Sequence, residues 1–133
     1  MYRIGELATA CEVTADTLRF YEKNGLLSPS SRSDKGYRLY TDEDARHLKF
    51  ILRAKAMGFS LTEISELLNI EASRSDWACA DVKGMVEAKA AELQRKIDEM
   101  TRLRDSLQEL ADACCGGPES AIHCSILDTL ETK

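Results

Sequence analysis

The chain has 133 residues, of which 44% are hydrophobic and 31% are charged, and it has two prolines. This length is typical of one compact domain, or of a small domain with an extended helical appendage, and the composition excludes a disordered or fibrous protein. The N-terminus lacks the basic-then-apolar pattern of a signal peptide, and no apolar run approaches the roughly 18 residues of a membrane helix. We therefore expect a soluble, cytoplasmic protein that does not span a membrane.

The net charge of −5 argues mildly against a nucleic-acid binder, but the charge is unevenly distributed. Lys and Arg outnumber Asp and Glu between Arg19 and Lys55, whereas acidic residues prevail from Trp77 onward. This asymmetry suits a protein that presents only one end to a polyanion.

The N-terminal segment has the outline of a helix-turn-helix. An apolar stripe at residues 4–8 predicts a short first helix. Thr14 can cap a second helix that runs to about Lys23, where Asn24–Gly25 ends it. Two short helices joined by a tight turn predict a helix-turn-helix at about residues 4–23, whose second helix enters the major groove.

A small hairpin is predicted next, at about residues 28–40. Alternation places Tyr37 and Leu39 on one face and Arg38 and Tyr40 on the other. A helix-turn-helix followed by a hairpin is a winged helix, so the sequence predicts a mainly α protein that begins with a winged helix-turn-helix domain.

Two further helices complete this predicted domain at residues 1–76. Thr41 begins the first in the manner of a capping box, and Gly58 ends it. A second capping box at residues 60–63 starts the next helix, and residues 71–76 are predicted to form a loop.

The longest helical pattern runs from about residue 81 to 113, within a predicted dimerisation segment at residues 77–113. At 1.5 Å per residue it spans roughly 50 Å, and the N-terminal domain is too small to cover it. We therefore expect an antiparallel coiled coil with a second copy, rather than a helix packed on its own domain. The predicted seam has the three- and four-residue spacing of a coiled coil and consists of Val86, Ala90, Leu93, Ile97, Met100, Leu103, Leu107, Leu110 and Cys114.

Four of the five cysteines lie in the C-terminal half, at Cys79, Cys114, Cys115 and Cys124. The adjacent pair is awkward as a mutual disulfide, because neighbouring Cα atoms are only about 3.8 Å apart. Thiolates prefer soft cations, so residues 114–133 are predicted to form a metal-binding loop and a short helix. A thiol oxidoreductase is the enzyme alternative, but no C-x-x-C motif, βαβ pattern or catalytic His/Asp set supports it.

Several motifs, in this order, resemble those of the MerR family of transcription regulators. They cover nearly the whole chain and are Arg3-Ile4-Gly5-Glu6-Leu7-Ala8, Thr17-Leu18-Arg19-Phe20-Tyr21-Glu22, Gly36-Tyr37-Arg38-Leu39-Tyr40, Leu48-Lys49-Phe50-Ile51, Gly58-Phe59-Ser60-Leu61 and Cys124-Ser125-Ile126-Leu127. The tail is most similar to the zinc-responsive branch. The resemblance implies a homodimeric regulator, not an enzyme, that binds double-stranded promoter DNA with RNA polymerase and activates heavy-metal efflux genes by distorting the promoter.

The resemblance also implies a set of DNA-binding residues. A guanidinium can reach a base edge or a phosphate, and a phenol can reach a backbone oxygen. For Arg19 and Arg38 the alternative is an exposed, salt-bridged arginine, while Phe20 and Tyr37 are expected in the core. The implied DNA-binding residues are Thr17, Arg19, Tyr21, Arg38 and Tyr40.

The family resemblance implies a metal site shared between subunits. A cysteine at the start of the dimer helix marks family members that sense divalent metals, and this chain has Cys79 there. Antiparallel pairing would bring Cys79 of one subunit to Cys114, Cys115 and Cys124 of the other. Thiolate, imidazole and carboxylate ligands in a tetrahedral set suit Zn(II), as one or two ions per site. Cd(II), Pb(II) or Hg(II) is the alternative. The remaining alternative function is a thiol-based redox regulator. The spacing of the cysteines argues against it, because it differs from that of the iron–sulfur branch of the family.

One position departs from the zinc-responsive pattern. Glu119 occupies the place of a histidine, and the nearby histidine is His123. Either side chain can ligate Zn(II), and the alternative for both is a solvent-exposed loop residue. His47 is expected at the surface and Cys11 in the core.

Overall fold

The computed structural model describes residues 1–132, which are mainly helical. By their internal contacts the residues form one unit from Met1 to Gly84 and a second from Met85 onward. In chain order the elements are β1 (Tyr2–Arg3), α1 (Ile4–Ala10), α2 (Ala15–Lys23), β2 (Ser31–Arg32), β3 (Arg38–Tyr40), α3 (Asp42–Ala56), α4 (Leu61–Ala72), a 3₁₀ turn (Arg74–Asp76), α5 (Cys79–Ala113), a second 3₁₀ turn (Ala121–His123) and α6 (Ser125–Glu131).

The predicted helix-turn-helix is confirmed in helices α1 and α2. The Thr14 side chain caps α2 by accepting a hydrogen bond of 3.2 Å from the backbone N–H of Thr17. Gly25 follows α2 with a φ of 75°, in the left-handed region that favours glycine. Leu7 and Leu18 are fully buried, so the two helices share one core.

The predicted hairpin forms β2 and β3 of a three-stranded antiparallel sheet with the strand order β1-β3-β2, in which β3 is the central strand. Tyr2 pairs with Tyr40, and Arg32 pairs with Arg38. Strand β1 was not expected from the sequence, because two residues directly before a helix show no alternation. Only the pairing with β3, nearly 40 residues along the chain, makes it a strand.

Helices α3 and α4 begin at the predicted capping boxes. The Thr41 side chain accepts from the backbone N–H of Asp44, and the Ser60 side chain accepts from that of Glu63. The loop predicted at residues 71–76 is wrong at its first two residues, because α4 continues to Ala72. The following 3₁₀ turn is joined to this helical end by ion-paired hydrogen bonds between the Arg74 guanidinium and the Glu71 carboxylate.

Helix α5 has 35 residues, from Cys79 to Ala113, and begins two residues before the predicted start. The Asp81 carboxylate accepts a hydrogen bond of 2.9 Å from the backbone N–H of Ala78 and stabilises this earlier start. The apolar side chains of the predicted seam remain exposed in one protomer, by 38% to 66% of their surface, at Val86, Leu93, Ile97, Met100, Leu103 and Leu107. None of the helices in residues 1–132 has the length and apolar character that crossing a membrane requires.

Candidate DNA-binding groove and metal centre

An open groove of about 1200 Å³ lies between α1, α2 and the wing. Its cationic lining side chains are Arg3, Arg19, Lys23, Arg32 and Arg38, and its acidic ones are Glu6 and Glu22. An excess of cations in one groove is the charge pattern that attracts a phosphodiester backbone. The groove therefore gathers part of the basic region of the sequence, together with Arg3, on one surface.

Arg19 lies on the solvent side of α2, in an exposed salt bridge. Its Nη1 is 2.8 Å from Asp16 Oδ1, and the two side chains are 55% and 91% exposed. Exposed pairs of this kind contribute little to stability, because water screens them. The guanidinium can therefore exchange Asp16 for a phosphate or a base edge. At the start of α2, the hydroxyls of Thr14 and Thr17 are hydrogen-bonded at 3.0 Å.

Arg38 projects from β3 of the wing and pairs with α2. Its Nη1 lies 2.6 Å from Glu22 Oε2, and the side chains are 39% and 12% exposed. Both arginines are thus salt-bridged, as the alternative interpretation of the sequence allowed, and both also line or border the same groove.

The tyrosines predicted to contact DNA are instead core residues. Tyr40 is fully buried, and within the described chain its hydroxyl oxygen has no hydrogen-bond partner. Tyr21 is 5% exposed, and burial raises its pKa. This placement argues against the predicted DNA contact of Tyr40, because a buried hydroxyl does not reach a phosphate in this conformation.

Phe20 and Tyr37, which were expected in the core, are 49% and 50% exposed, so that prediction was wrong. On α2 the inward positions are Leu18 and Tyr21, three residues apart, and Phe20 falls outside that face. The Tyr37 ring lies under the Arg3 guanidinium, whose carbon is 4.5 Å from the ring centroid. This cation–π contact joins the wing to the start of α1.

Arg3, Lys23 and Arg32 are groove residues that the sequence did not single out. Arg32 donates a hydrogen bond of 3.0 Å from Nη1 to the Gly36 carbonyl oxygen across the hairpin. Their positive charge was the available signal, but only the fold shows that these three side chains line the same groove as Arg19 and Arg38.

The C-terminal cysteines lie at the ends of helices. Cys79 is the exposed first residue of α5, while Cys114 and Cys115 follow its end. Gly116 then turns the chain with a φ of 67°. Cys124 directly precedes α6, and the neighbouring Ser125 hydroxyl donates a hydrogen bond of 3.1 Å to the Ala113 carbonyl oxygen. The structure thereby brings Cys124 beside Cys114.

The surroundings of Cys124 favour its thiolate form. Backbone N–H groups of Leu127 and Ile126, at the start of α6, lower the pKa of the Cys124 thiol, and the Cys114 side chain lowers it further. A thiolate is the form in which cysteine binds metal. Cys11, in contrast, packs against the core, where burial raises its pKa, as expected for a core cysteine.

Glu119 and His123 are exposed, and the Glu119 carboxylate lies over the Cα of Gly117, so a side chain at position 117 would displace it. Within residues 1–132 of a single protomer, no three His, Cys, Asp or Glu side chains lie close enough together to hold a metal ion. Cys114 and Cys124 fit a soft metal as two adjacent sulfur donors, and a complete site needs donors beyond this pair. His47 is exposed, as expected.

Comparison with known proteins identifies the family of this chain. The family model described as "MerR HTH family regulatory protein" matches residues 2–70, and the model described as "MerR, DNA binding" matches residues 45–110. The chain therefore belongs to the MerR family of helix-turn-helix regulatory proteins. It is a transcription regulator and not an enzyme.

Individual relatives cover nearly the whole length of the chain. It is 47% identical to the HTH-type transcriptional regulator ZntR of Escherichia coli K12, over 98% of this chain and 93% of ZntR. The mercuric resistance operon regulatory protein of Bacillus cereus is 37% identical, over 99% and 98%. The transcription regulator PbrR691 of Ralstonia metallidurans, solved in complex with lead(II), has a TM-score of 0.86 at 35% identity, over 98% and 99%.

Proposed function

We propose that this regulator is a zinc-responsive activator that binds promoter DNA as a homodimer. The observation that carries the proposal is the juxtaposition of Cys114 with Cys124, whose pKa is lowered. Two neighbouring sulfur donors, on a protomer whose α5 exposes an apolar seam, are what one protomer would contribute to a metal site completed by a second. The similarity to ZntR supports zinc as the metal.

The groove of the N-terminal unit is the proposed DNA-binding surface. The recognition helix α2 would enter the major groove with Thr17 and Arg19, while Arg38 of the wing would bind the adjacent backbone. The side chains of Arg19 and Arg38 are exposed to solvent, which supports their proposed contacts with DNA. The other cations that line the groove support a polyanionic partner. RNA polymerase at the same promoter would be the second partner.

Helix α5 is the proposed dimerisation element. Its seam side chains are exposed in one protomer, and pairing with a second copy would remove that apolar surface from water. In functional terms we divide the chain into a DNA-binding region at residues 1–76, a dimer helix at 77–113 and a metal-binding region at 114–133. Antiparallel pairing would place the first of these regions at opposite ends of the dimer, as two operator half-sites require.

The proposed metal site combines Cys114, Cys115 and Cys124 of one subunit with Cys79 of the other. Zn(II) accepts thiolate, imidazole and carboxylate donors in a tetrahedral arrangement. Glu119 or His123, both exposed in the same loop, could supply a further donor and support a second ion. When bound, the metal would tie the loop of one subunit to α5 of the other.

The proposed switch acts through that cross-subunit tie. Metal can favour one arrangement of the two DNA-binding ends only by as much as it binds that arrangement more tightly than the other. A dimer that holds both half-sites in the metal-favoured arrangement would distort the promoter between them and thereby activate transcription of heavy-metal efflux genes.

A sensor of lead or mercury is the second candidate. Sulfur-rich donor sets bind soft cations well, and the relatives include a mercuric resistance regulator and a regulator solved with lead(II). Glu119 stands where the zinc-responsive branch has a histidine, so the proposed donor set has one nitrogen fewer. A donor set with fewer nitrogens and the same sulfurs favours a softer metal than zinc.

Transcription in vitro tests the proposal. The purified dimer, RNA polymerase and the protein's own promoter are assayed with Zn(II), Cd(II), Pb(II) and Hg(II) at buffered free concentrations. We expect activation with Zn(II), and the same response from a Cys11→Ser control. Activation by Pb(II) or Hg(II) alone would select the second candidate, and a response to oxidant without metal would overturn both.

A further inference from the structure

One salt bridge ties together the two elements that line the basic groove. Arg38 of the wing lies 2.6 Å, Nη1 to Oε2, from Glu22 of α2, across 16 positions of the chain. The Glu22 side chain is 12% exposed and the Arg38 side chain is 39% exposed. The Glu22 carboxylate is therefore largely buried, while the Arg38 guanidinium keeps contact with solvent in the groove.

We propose that Glu22 is a positioning residue for DNA binding. Its carboxylate fixes the Arg38 guanidinium in the wing, so that the remaining N–H groups of Arg38 meet a phosphate of the operator. This inference rests on the DNA contact proposed above for Arg38, and it adds a residue that itself touches no DNA.

The geometry of a guanidinium makes this arrangement workable. Arginine carries five N–H donors in a rigid planar fork, so anchoring one edge sets the direction of the others. Within the described chain, Glu22 is the hydrogen-bond acceptor of Arg38 through Nη1. The other guanidinium donors are therefore left for a ligand, and their side chain has already lost much of the rotational freedom that binding would otherwise remove.

The salt bridge to Glu22 can steady the wing, because few backbone hydrogen bonds join the short strands of the wing to each other. Strands β2 and β3 have two and three residues, respectively. The second carboxylate oxygen of Glu22, Oε1, is buried without a hydrogen-bond partner in residues 1–132. Within the described chain, the Arg38 guanidinium is therefore the hydrogen-bond donor that the structure gives this carboxylate.

A simple count of charge predicts the opposite role. Glu22 is an acid in a groove with five cationic side chains, so its removal should strengthen the attraction for DNA. If Glu22 merely competes with phosphate for Arg38, neutralising it should tighten operator binding. If it positions Arg38, neutralising it should weaken operator binding despite the more positive groove. The sign of the change therefore decides between the two roles.

The test uses the full-length dimer with Glu22→Gln and Glu22→Ala, each with Arg38 intact and with Arg38→Ala. Affinity is measured by fluorescence anisotropy for a duplex of the protein's own promoter and for a scrambled duplex of equal length. Both substitutions remove the same charge, but glutamine keeps a weaker hydrogen bond, in which its neutral amide oxygen accepts from the Arg38 guanidinium. We expect promoter affinity to fall about threefold for Glu22→Gln and about tenfold for Glu22→Ala, with scrambled-duplex affinity equal or higher.

The Arg38→Ala background separates the possible failures. There we expect neither Glu22 substitution to weaken promoter binding, because no guanidinium remains to be positioned. Unchanged or tighter promoter binding by both Glu22 variants would overturn the inference, while a loss with Arg38→Ala would leave the proposed function standing. Normal promoter binding by Arg38→Ala would overturn the proposed contact itself. Thermal melting and dimer mass serve as folding controls, and the isosteric Glu22→Gln decides if Glu22→Ala does not fold.

Discussion

The Ser125 hydroxyl donates a hydrogen bond of 3.1 Å to the carbonyl oxygen of Ala113. This contact joins the start of α6 to the end of α5 and closes the loop between them, and Cys124 lies beside Cys114 in the closed loop. Two of the proposed metal donors are therefore already adjacent before metal binds, which lowers the conformational cost of binding.

The first prediction is that Ser125→Ala weakens zinc binding. Losing this hydrogen bond, worth about 1 kcal/mol, should lower zinc affinity roughly fivefold and leave the dimer and its DNA affinity unchanged. Zinc affinity is measured by competition with a chelator. Thr129→Ala is the matched control, because its hydroxyl bonds the Ser125 carbonyl within α6 and does not cross the loop. Equal losses for the two variants would show that the loop closure does not matter.

The second prediction concerns the cysteines themselves. Cys79→Ser, Cys114→Ser and Cys124→Ser should keep dimerisation and promoter binding but lose activation by Zn(II), because each removes a proposed donor. Transcription in vitro and promoter binding are measured side by side, with Cys11→Ser as the control that stays responsive. A full zinc response from Cys79→Ser would place the site within one subunit.

The same experiment separates one ion from two. Cys115→Ser and Glu119→Ala should have milder effects than Cys114→Ser if a single ion is essential, and equal effects if two are. The zinc content of the purified dimer, measured by elemental analysis, provides an independent count.

The third prediction follows from the opposite pKa shifts of two cysteines with similar partial exposure. The pKa of Cys124 is lowered, chiefly by backbone N–H groups at the start of α6, while burial raises that of Cys11. A lowered pKa means more thiolate at a given pH, and the thiolate is the reactive form. In the metal-free protein at pH 7, iodoacetamide should therefore modify Cys124 before Cys11, as read by peptide mass spectrometry.

The pH dependence of the alkylation rate is a second test of the directions of the two pKa shifts. The alkylation rate of Cys124 should reach its plateau at a lower pH than that of an ordinary thiol, and the rate of Cys11 should still be rising there. Modification of Cys11 at the same rate and with the same pH profile would contradict the assigned environments.

Much of the fold was predictable because its signals are local. Thr14, Thr41 and Ser60 each cap a helix at the expected residue, and their hydrogen bonds involve neighbours only three positions away. Strand β1 was not predictable in this way, since its pairing with Tyr40 is a long-range contact that two residues cannot signal. Sequence spacing placed helices well and the sheet only in part.

In the candidate sites, too, the sequence predicted what depends on residue type or local spacing but not what depends on long-range contacts. The cysteines were predictable from residue type, but the proximity of Cys124 to Cys114 depends on the turn at Gly116 and the Ser125 contact, which spacing does not encode. Alternation grouped Arg38 with Tyr40, but it could not show that the Tyr40 phenol lies in the core while the Arg38 guanidinium lines the groove.

The fourth prediction uses this difference in burial. Arg19→Ala should weaken promoter binding by about 1–3 kcal/mol without altering zinc affinity, because the side chain is exposed beside the groove. Tyr40→Phe should leave promoter affinity unchanged and keep stability equal or slightly higher, since it removes a buried hydroxyl without a hydrogen-bond partner in the described chain. Anisotropy titrations and thermal melting measure both. A loss of promoter affinity in a stable Tyr40→Phe variant would restore the predicted contact.

The fifth prediction is that the exposed seam of α5 makes the protein a homodimer at micromolar concentration. Ile97 and Met100 are 57% and 65% exposed in one protomer, so replacing both with Glu should leave the folded DNA-binding unit intact. In the dimer, however, the new carboxylates would be buried in an apolar seam, which is strongly unfavourable for unpaired charges. The double variant should therefore be monomeric by light scattering and lose both promoter binding and the zinc response.

The matched control adds the same charge to α5 outside the seam. Gln94 and Gln108 are exposed on this helix and do not belong to the apolar spacing. Gln94→Glu with Gln108→Glu should thus remain dimeric, because each new carboxylate stays in water and costs only a few tenths of a kcal/mol beside a neighbouring acid. A wild-type monomer at micromolar concentration, or a dimeric Ile97→Glu/Met100→Glu variant, would remove α5 as the dimerisation element and with it the route from metal to DNA.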